Sequence, residues 1–349
     1  MHDTETILLS DKTAVLVVSD IHLRLPITRE LGMIQNSLVK RIGELSKNPK
    51  AVLVLNGDIF ELWEQTDQTV ADIIEGFSDL TGAIQKFANK QGHRVLYVVG
   101  NHDEILATSP TDRAVVEHHW QAFVTNQLEL KHNNRRILIQ HGHQYDPYNM
   151  PNEAHDSHGK KLVQNTMPML QRHFPKLVNN IGDVTNRSLL GEFVIGNFLY
   201  KIFVPVIMPL VLLAALALTV YYQSQTIILT TIAILVGLIV LMIVVGLFSR
   251  ILSGLILGGG NSFLRKLDKS HQGNKFNAIL LGHTHQGGVF KRDGYTYANS
   301  GCNDIVATHK TGWLILPKFE RHLQMSGIVI DYSKKPAIEY HQETIPLVE

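Results

Sequence analysis

Cysteine is almost missing from this chain: Cys302 is the one copy in 349 residues. A disulfide framework is thereby excluded, and so is a metal site built on thiolates. A surplus of either charge is missing too, with 32 Lys and Arg against 31 Asp and Glu. Bulk electrostatics therefore offers no footprint for a nucleic acid polymer. Residues 1–6, Met-His-Asp-Thr-Glu-Thr, are polar and acidic and lack the pattern of a secretory signal, so the catalytic part is expected on the cytoplasmic side. What the chain does hold is histidine, 18 residues of it. Metal chemistry here points to imidazole and carboxylate.

The most informative stretch runs from Val95 to Asp103. Val95-Leu96-Tyr97-Val98-Val99 reads as a buried strand, Gly100 turns the chain, and Asn101-His102-Asp103 follow. The same pattern recurs at four other places. Ala14 to Val18 leads to Ser19-Asp20-Ile21-His22, and Ala51 to Leu55 leads to Asn56-Gly57-Asp58. Ile137 to Ile139 leads to Gln140-His141-Gly142-His143, and Ala278 to Leu281 leads to Gly282-His283-Thr284-His285. One Asp or His after a strand is ordinarily a turn residue or helix cap. Five such clusters, all with oxygen or imidazole donors, point instead to chemistry at the carboxyl ends of strands in an open α/β sheet.

Between these strands the apolar spacing turns helical. Residues 30–47 carry Leu31, Ile34, Leu38, Ile42 and Leu45, with a stop at Asn48-Pro49. Residues 70–89 repeat the pattern with Ile73, Ile74, Phe77, Leu80, Ile84 and Phe87, and Gln91-Gly92 ends it. Residues 113–127 read as a third, shorter helix with His118 and His119 on its surface. Strand and helix alternate, so the fold class is an α/β sandwich. Near the C-terminus, 289–299 reads as a hairpin turning at Asp293-Gly294, and 313–316 and 328–332 as further strands. Cys302 reads as a small packed residue, since nothing beside it marks an activated thiol.

After His143 the alternation stops. Residues 144–197 are polar and helix-prone, with Pro147, Pro151, Pro168 and Pro175. Residues 202–222 and 226–248 then run without a charge, separated by Gln223-Ser224-Gln225. Each run is long enough to cross a hydrocarbon core of roughly 30 Å at about 1.5 Å per residue. Two buried core helices are the plain alternative, but such helices are shorter and keep a polar stripe. Pro205 and Pro209 near the start are tolerable in a membrane helix, and Tyr200, Tyr221 and Tyr222 fall where interfacial aromatics belong. Lys201 precedes the first run, Arg250, Arg265, Lys266 and Lys269 follow the second, and the loop has no basic residue. By the positive-inside rule both flanks are cytoplasmic. Residues 251–257 are expected to continue along the membrane surface, with Gly258-Gly259-Gly260 as a hinge. The expected division is therefore 1–143 and 276–349 as one interrupted catalytic domain, with 144–275 as an inserted helical lid carrying a transmembrane hairpin.

Asp20, His22, Asp58, Asn101, His141, His283 and His285 offer more donors than one ion with an open position needs. Shared between two divalent ions about 3.5–4 Å apart, with one bridging carboxylate, the set is sensible. Asp58 is the best bridge, because Gly57 lets the chain turn sharply beside it. His283 and His285 fall on one side of an extended segment. Two cations acidify a water between them and favour in-line attack on phosphorus. Imidazole with oxygen donors suits Mn²⁺ best here, with Fe or Zn²⁺ as alternatives.

The set Asp-x-His, Gly-Asp, Gly-Asn-His-Asp, His-Gly-His and Gly-His-x-His, in this order, resembles the calcineurin-like metallophosphoesterase superfamily over roughly 14–143 and 276–302. The resemblance implies a two-sheet sandwich flanked by helices, with a dinuclear centre at the strand ends. It assigns Asp20, His22, Asp58 and His285 to one metal and Asp58, Asn101, His141 and His283 to the other. His102 would face the phosphate, oriented by Asp103; His143 has no fixed role in that family and is expected behind the ligands. The segment Gly57-Asp58-Ile59-Phe60-Glu61-Leu62-Trp63 is similar to its counterpart in the UDP-2,3-diacylglucosamine pyrophosphatases, which insert an acyl-gripping helical lid at the same place. The expected activity is hydrolysis of a phosphodiester or pyrophosphate bond in a phosphorylated lipid or nucleotide-lipid, by a multi-pass protein of the cell (inner) membrane. His155, His158, Arg172 and His173 in the insertion are weaker candidates for a head group, a solvated surface being the plainer reading. Two alternatives stand beside it: a soluble nucleotide or phosphoprotein as substrate with the hairpin as anchor only, and a non-catalytic membrane scaffold. A scaffold has no physical need of the full ligand set.

Overall fold

A computed structural model describes residues 4–63, 67–146, 149, 160–161, 164, 266–270, 276–292, 295–311, 317–332 and 337–347, with single positions between 209 and 237. The first half comprises β1 (Thr4–Leu8), β2 (Thr13–Val18), α1 (Arg29–Leu45), β3 (Lys50–Asn56), α2 (Val70–Gly76), α3 (Ser78–Ala88) and β4 (His93–Val98). Then come α4 (Ile105–Thr108), α5 (Pro110–Trp120), β5 (Ala122–Thr125), β6 (Gln127–His132) and β7 (Arg135–Ile139). Beyond the insertion lie β8 (Ala278–Leu281), β9 (Gly288–Arg292), β10 (Tyr295–Asn299), β11 (Asp304–Thr311), β12 (Pro317–Asp331) and β13 (Ala337–Pro346).

Two sheets result. One runs β1-β6-β7-β8-β10-β9; the other runs β11-β12-β2-β3-β4-β5, with β13 paired to β12. The central strands β2, β3 and β4 are mutually parallel, as are β7 and β8. Alternation along each strand explains how the sheets stack. Val15, Val17, Val52, Val54, Leu96 and Val98 of one sheet meet Leu128, Leu130, Ile137, Ile139 and Leu280 of the other in a single buried cluster. The opposite face of the second sheet, through Leu16, Val18, Leu53 and Leu55, surrounds a small void with Leu38 and Ile42 of α1, Leu80 and Ile84 of α3, and Trp120. Both faces of β2 to β4 are covered. That is why they read as continuous apolar runs rather than alternating ones.

The helices depart from the sequence spacing in two places. The run 70–89 is two helices, not one, broken at Phe77, whose backbone (φ −92°, ψ 48°) leaves helical geometry while its ring is fully buried. A reciprocal cap, with Thr69 and Asp72 each bonding the other's backbone N–H, fixes the start of the first. The run 113–127 is likewise not one helix. It starts earlier, at Pro110 behind the Ser109 cap, and stops at Trp120, where Gln121 turns left-handed (φ 50°) and Ala122–Thr125 adds to the edge of β4. The hairpin expected at 289–299 is present as the antiparallel pair β9 and β10.

Two units are distinguished: Met1–His173 with Ser262–Ile305 and Leu323–Ile345, and Phe174–Asn261 with Val306–His322 and Pro346–Glu349. Everything that follows on the site belongs to the first. The uncharged runs 202–222 and 226–248 lie almost wholly outside the described residues, as do His155, His158, Arg172, His173 and the expected strand 313–316. Among the described residues no helix is long and apolar enough to cross a membrane.

Candidate metal centre

The carboxyl ends of β2, β3 and β4 in one sheet and of β7 and β8 in the other open at the same end of the sandwich, and the loops there are bonded to one another. Asp20 N–H donates to the Gly57 carbonyl (3.0 Å), and Ile21 and His22 N–H donate to that of Asp58 (2.9 and 3.1 Å). Gly282 N–H donates to His141 O (2.9 Å), and His283 N–H donates to the Asp20 carboxylate (3.1 Å). His102 N–H donates to the Asp58 carboxylate (2.8 Å), so residues from five stretches of sequence meet in one place.

The backbone is strained where the candidate ligands sit. Seven described residues other than glycine have positive φ, and five of them are Asp20 (51°), His22 (53°), Asp58 (52°), His283 (65°) and His285 (58°). Such conformations cost of order 1–3 kcal/mol each and cluster at functional sites. Turns alone do not require that coincidence. Glycine is needed at Gly100 for a different reason: a Cβ there would collide with the carboxylate and backbone N of Asp58.

Two clusters hold the ligands. Asp20, His22 and His285 offer donor atoms to one point, and Asp58, His141 and His283 to another. Asp20 Oδ1 lies 3.1 Å from His285 Nε2, and Asp58 Oδ2 lies 3.0 Å from His141 Nε2, which also faces Asn101 Oδ1 at 3.2 Å. Asn101 therefore joins the second cluster. His143 packs beside it, its ring 5.6 Å from His141 and 6.4 Å from His283. Burial and the neighbouring histidines hold its pKa down at about 3, so it is neutral.

The donor set fits cations, and two observations carry that. His141 already gives its Nδ1–H to the Asn56 carbonyl (2.9 Å), so its Nε2 faces two oxygens with a lone pair unless a cation or a proton intervenes. In the metal-free chain the proton takes that place. Burial pushes the His141 pKa down, yet Asp58 and Asp20 outweigh burial and lift it to about 9. For His285, burial again opposes and Asp20 prevails, holding it well above the ordinary value. Burial would raise Asp58, but His141 and His102 keep it well below the usual carboxylate range. The second observation is His22 Nε2, which is buried and has no hydrogen-bond partner, while its Nδ1 lies 3.0 Å from Glu61 Oε2. A histidine whose far nitrogen is fixed by a carboxylate is the usual support of a metal ligand.

His102 sits against this centre, but its carboxylate partner differs from the one expected. Asp103 is taken up elsewhere: it accepts from Ile59 N–H (2.8 Å), Gly100 N–H (2.6 Å) and Tyr97 Oη–H (2.5 Å), so it braces the loop. Burial, then Asp58, raises it to about 6. The carboxylate beside His102 is Glu61, whose Oε2 lies 2.7 Å from Nδ1. Asp103 was the nearer candidate in sequence, and only the fold brings Glu61 across. Three more supports escaped the sequence reading. Asp146 Oδ2 holds His283 Nε2 at 3.0 Å, Asn56 fixes His141, and Ser19 donates to Asp20 while bonding Ser300 Oγ at 2.6 Å. Glu61 alone had a signal, as part of the Gly57–Trp63 segment.

A family model described as calcineurin-like phosphoesterase matches residues 13–201. No curated protein matches the sequence significantly. Among solved structures the chain is similar to a dimetal phosphatase from Danio rerio, at 12% identity and TM-score 0.37, over 96% of this chain and 99% of that one. A novel archaeal phosphodiesterase shares 11% identity at TM-score 0.36, over 95% and 99%. A conserved uncharacterized protein of Streptococcus pneumoniae shares 13% at TM-score 0.29, over 95% and 97%.

Proposed function

Because the chain belongs to the calcineurin-like phosphoesterase family, as a metal-dependent hydrolase of phosphoesters, we propose that it acts on a phosphodiester or pyrophosphate bond in a lipid-linked substrate. The observation that carries the chemistry is the pair of imidazole nitrogens, His141 Nε2 and His285 Nε2, aimed at carboxylate oxygens about a hydrogen-bond length away. Asp20, His22, Asp58 and His285 would hold one divalent ion, and Asp58, Asn101, His141 and His283 the other. When bound, such a pair supplies Lewis acidity at the phosphoryl oxygens and lowers the pKa of water between them. Mn²⁺ suits this donor set, with Fe or Zn²⁺ as alternatives.

The protein's own contribution is positioning and proton transfer. His102 sits with Nδ1 2.7 Å from Glu61 Oε2, and its Nε2 would face the phosphoryl group. As an imidazolium, with a second proton on Nε2, it would stabilise charge developing on the phosphoryl oxygens or pass that proton to the leaving oxygen. Asp58 would serve as the ligand shared by both ions, and it accepts the His102 backbone N–H (2.8 Å). That bond ties the position of His102 to a residue that would hold the ions.

Three sequence features support the lipid substrate and an inner-membrane location with the catalytic side cytoplasmic. These are the two uncharged runs, the basic residues flanking them, and the Gly57–Trp63 resemblance. The single described positions in the first run agree with that reading. Pro209, Leu210, Leu213, Ala214, Ala217 and Tyr221 are helical, and Leu210 and Leu213 are 61% and 62% exposed. Large exposed apolar side chains at helical spacing are what a bilayer covers. The test is hydrolysis by full-length protein with Mn²⁺, offered phospholipids, nucleotide-linked lipids and soluble diesters. Preference for the lipid substrates, lost on deleting 202–248, is expected. Preference for soluble diesters, unchanged by that deletion, refutes the lipid reading and leaves the hairpin as an anchor only.

A further inference from the structure

Glu61 is buried, and its backbone is pinned, since Glu61 N–H donates to Leu23 O (3.0 Å) and Leu23 N–H to Ile59 O (2.8 Å). The two carboxylate oxygens do different things. Oε1 accepts Trp63 N–H at 3.0 Å. Oε2 lies 3.0 Å from His22 Nδ1 and 2.7 Å from His102 Nδ1. The Trp63 ring stacks on His102 with centroids 4.1 Å apart and planes 21° apart, and His22 meets His102 edge-on at 4.7 Å. One short segment therefore grips two imidazoles at once.

We infer that Glu61 and Trp63 are positioning residues that set the tautomer and plane of His22 and His102 together. A carboxylate accepts and cannot donate, so His22, hydrogen-bonded to it through Nδ1, carries its proton there. The 2.7 Å approach of His102 Nδ1 to the same oxygen favours the same form, although it is out of hydrogen-bond alignment. Nε2 of His22 is then left to an ion, and Nε2 of His102 would carry the second proton offered to the phosphoryl group. Trp63 holds the His102 ring flat. The roles of the two Nε2 atoms rest on the phosphoesterase reading above; the tautomers do not. A third ion between Glu61, His22 and His102 is the rival account. These three side chains do offer donor atoms to one point, and the ion content of Glu61→Gln decides between the two accounts.

The experiment needs full-length protein with ¹⁵N-labelled histidine, first stripped of metal. In the unsubstituted protein, two-bond ¹⁵N–¹H correlation is expected to report Nδ1–H on both His22 and His102, assigned by His22→Gln and His102→Gln. Either ring in the Nε2–H form overturns the inference without any substitution at Glu61. Glu61→Gln is the second arm. Trp63 N–H is a fixed donor whereas an imidazole can move its proton, so the carbonyl oxygen stays on Trp63 N–H and the NH₂ faces the two rings. The result is loss of the Nδ1–H form in at least one ring, with metal affinity about 10- to 100-fold weaker. Trp63→Ala is expected to lower kcat while ion content and both tautomers stay as they were. Retention of both Nδ1–H signals and full metal affinity in Glu61→Gln overturns the inference, and so does a third bound ion that Glu61→Gln removes. If no phosphoester is hydrolysed at all, the proposed function fails while the tautomer signals still decide this point.

Discussion

Removing divalent ions and raising the pH should together destabilise the fold, and His141 sets the size of the effect. This imidazole is fully buried; burial lowers its pKa, but Asp58 and Asp20 prevail and lift it from 6.5 to about 9. The folded value lies above the unfolded one. Its stabilisation is therefore complete below about pH 6.5 and disappears as the pH rises through about 9. At about 1.4 kcal/mol for each tenfold change in proton affinity, the difference is about 3 kcal/mol. That is a large part of an ordinary stability of about 5–15 kcal/mol. His285, which Asp20 holds high against burial, acts in the same direction. The assay is denaturant unfolding of chelator-treated protein between about pH 6 and 9.5, followed by tryptophan fluorescence. The midpoint should fall with pH, His141→Gln should flatten much of the fall, and saturating Mn²⁺ should abolish it, since a cation then replaces the proton. A metal-free protein equally stable at both ends, or a His141→Gln variant with the parent's slope, refutes the reasoning.

Other consequences are more local. Gly100→Ala puts a Cβ into the Asp58 carboxylate and backbone, so it should cost about 1–3 kcal/mol and lower ion content, read by thermal unfolding and elemental analysis. Asp58→Ala should abolish turnover and weaken both ions, because the proposed site shares Asp58 between them; a variant that still turns over contradicts the bridging role. His102→Ala should lower kcat with ion content retained, and loss of both ions would contradict its placement. Thr69→Ala removes one half of the α2 cap and should cost about 1 kcal/mol while kcat stays unchanged.

Much of this arrangement was legible because β2, β3, β4, β7 and β8 are covered on both faces, or nearly so, and leave continuous apolar runs. The polar residues that follow stand out against those runs. Helix α1 buries Leu31, Ile34, Leu38, Ile42 and Leu45, the residues its spacing marks. The break at Phe77 was hidden, because a buried ring at a helix–helix junction has the same hydrophobicity as one inside a helix. The strand β5 was hidden too: four residues beside a left-handed Gln121 carry too little periodicity to separate from the helix before them. At the site, donors announce themselves by residue type, whereas their supports depend on contacts distant in sequence. Glu61 reaches His102 across 41 positions and Asp146 reaches His283 across 137. Asp103, adjacent to His102, was the natural guess. The fold instead uses Asp103 to brace Ile59, Gly100 and Tyr97.

The central claim, that residues from five strand ends enclose two divalent ions, is tested most directly by counting ions. Elemental analysis of the protein after Mn²⁺ loading and gel filtration should give two ions per chain, and fewer than one for Asp58→Ala. Less than one ion in the unsubstituted protein, or the same content in both proteins, contradicts it.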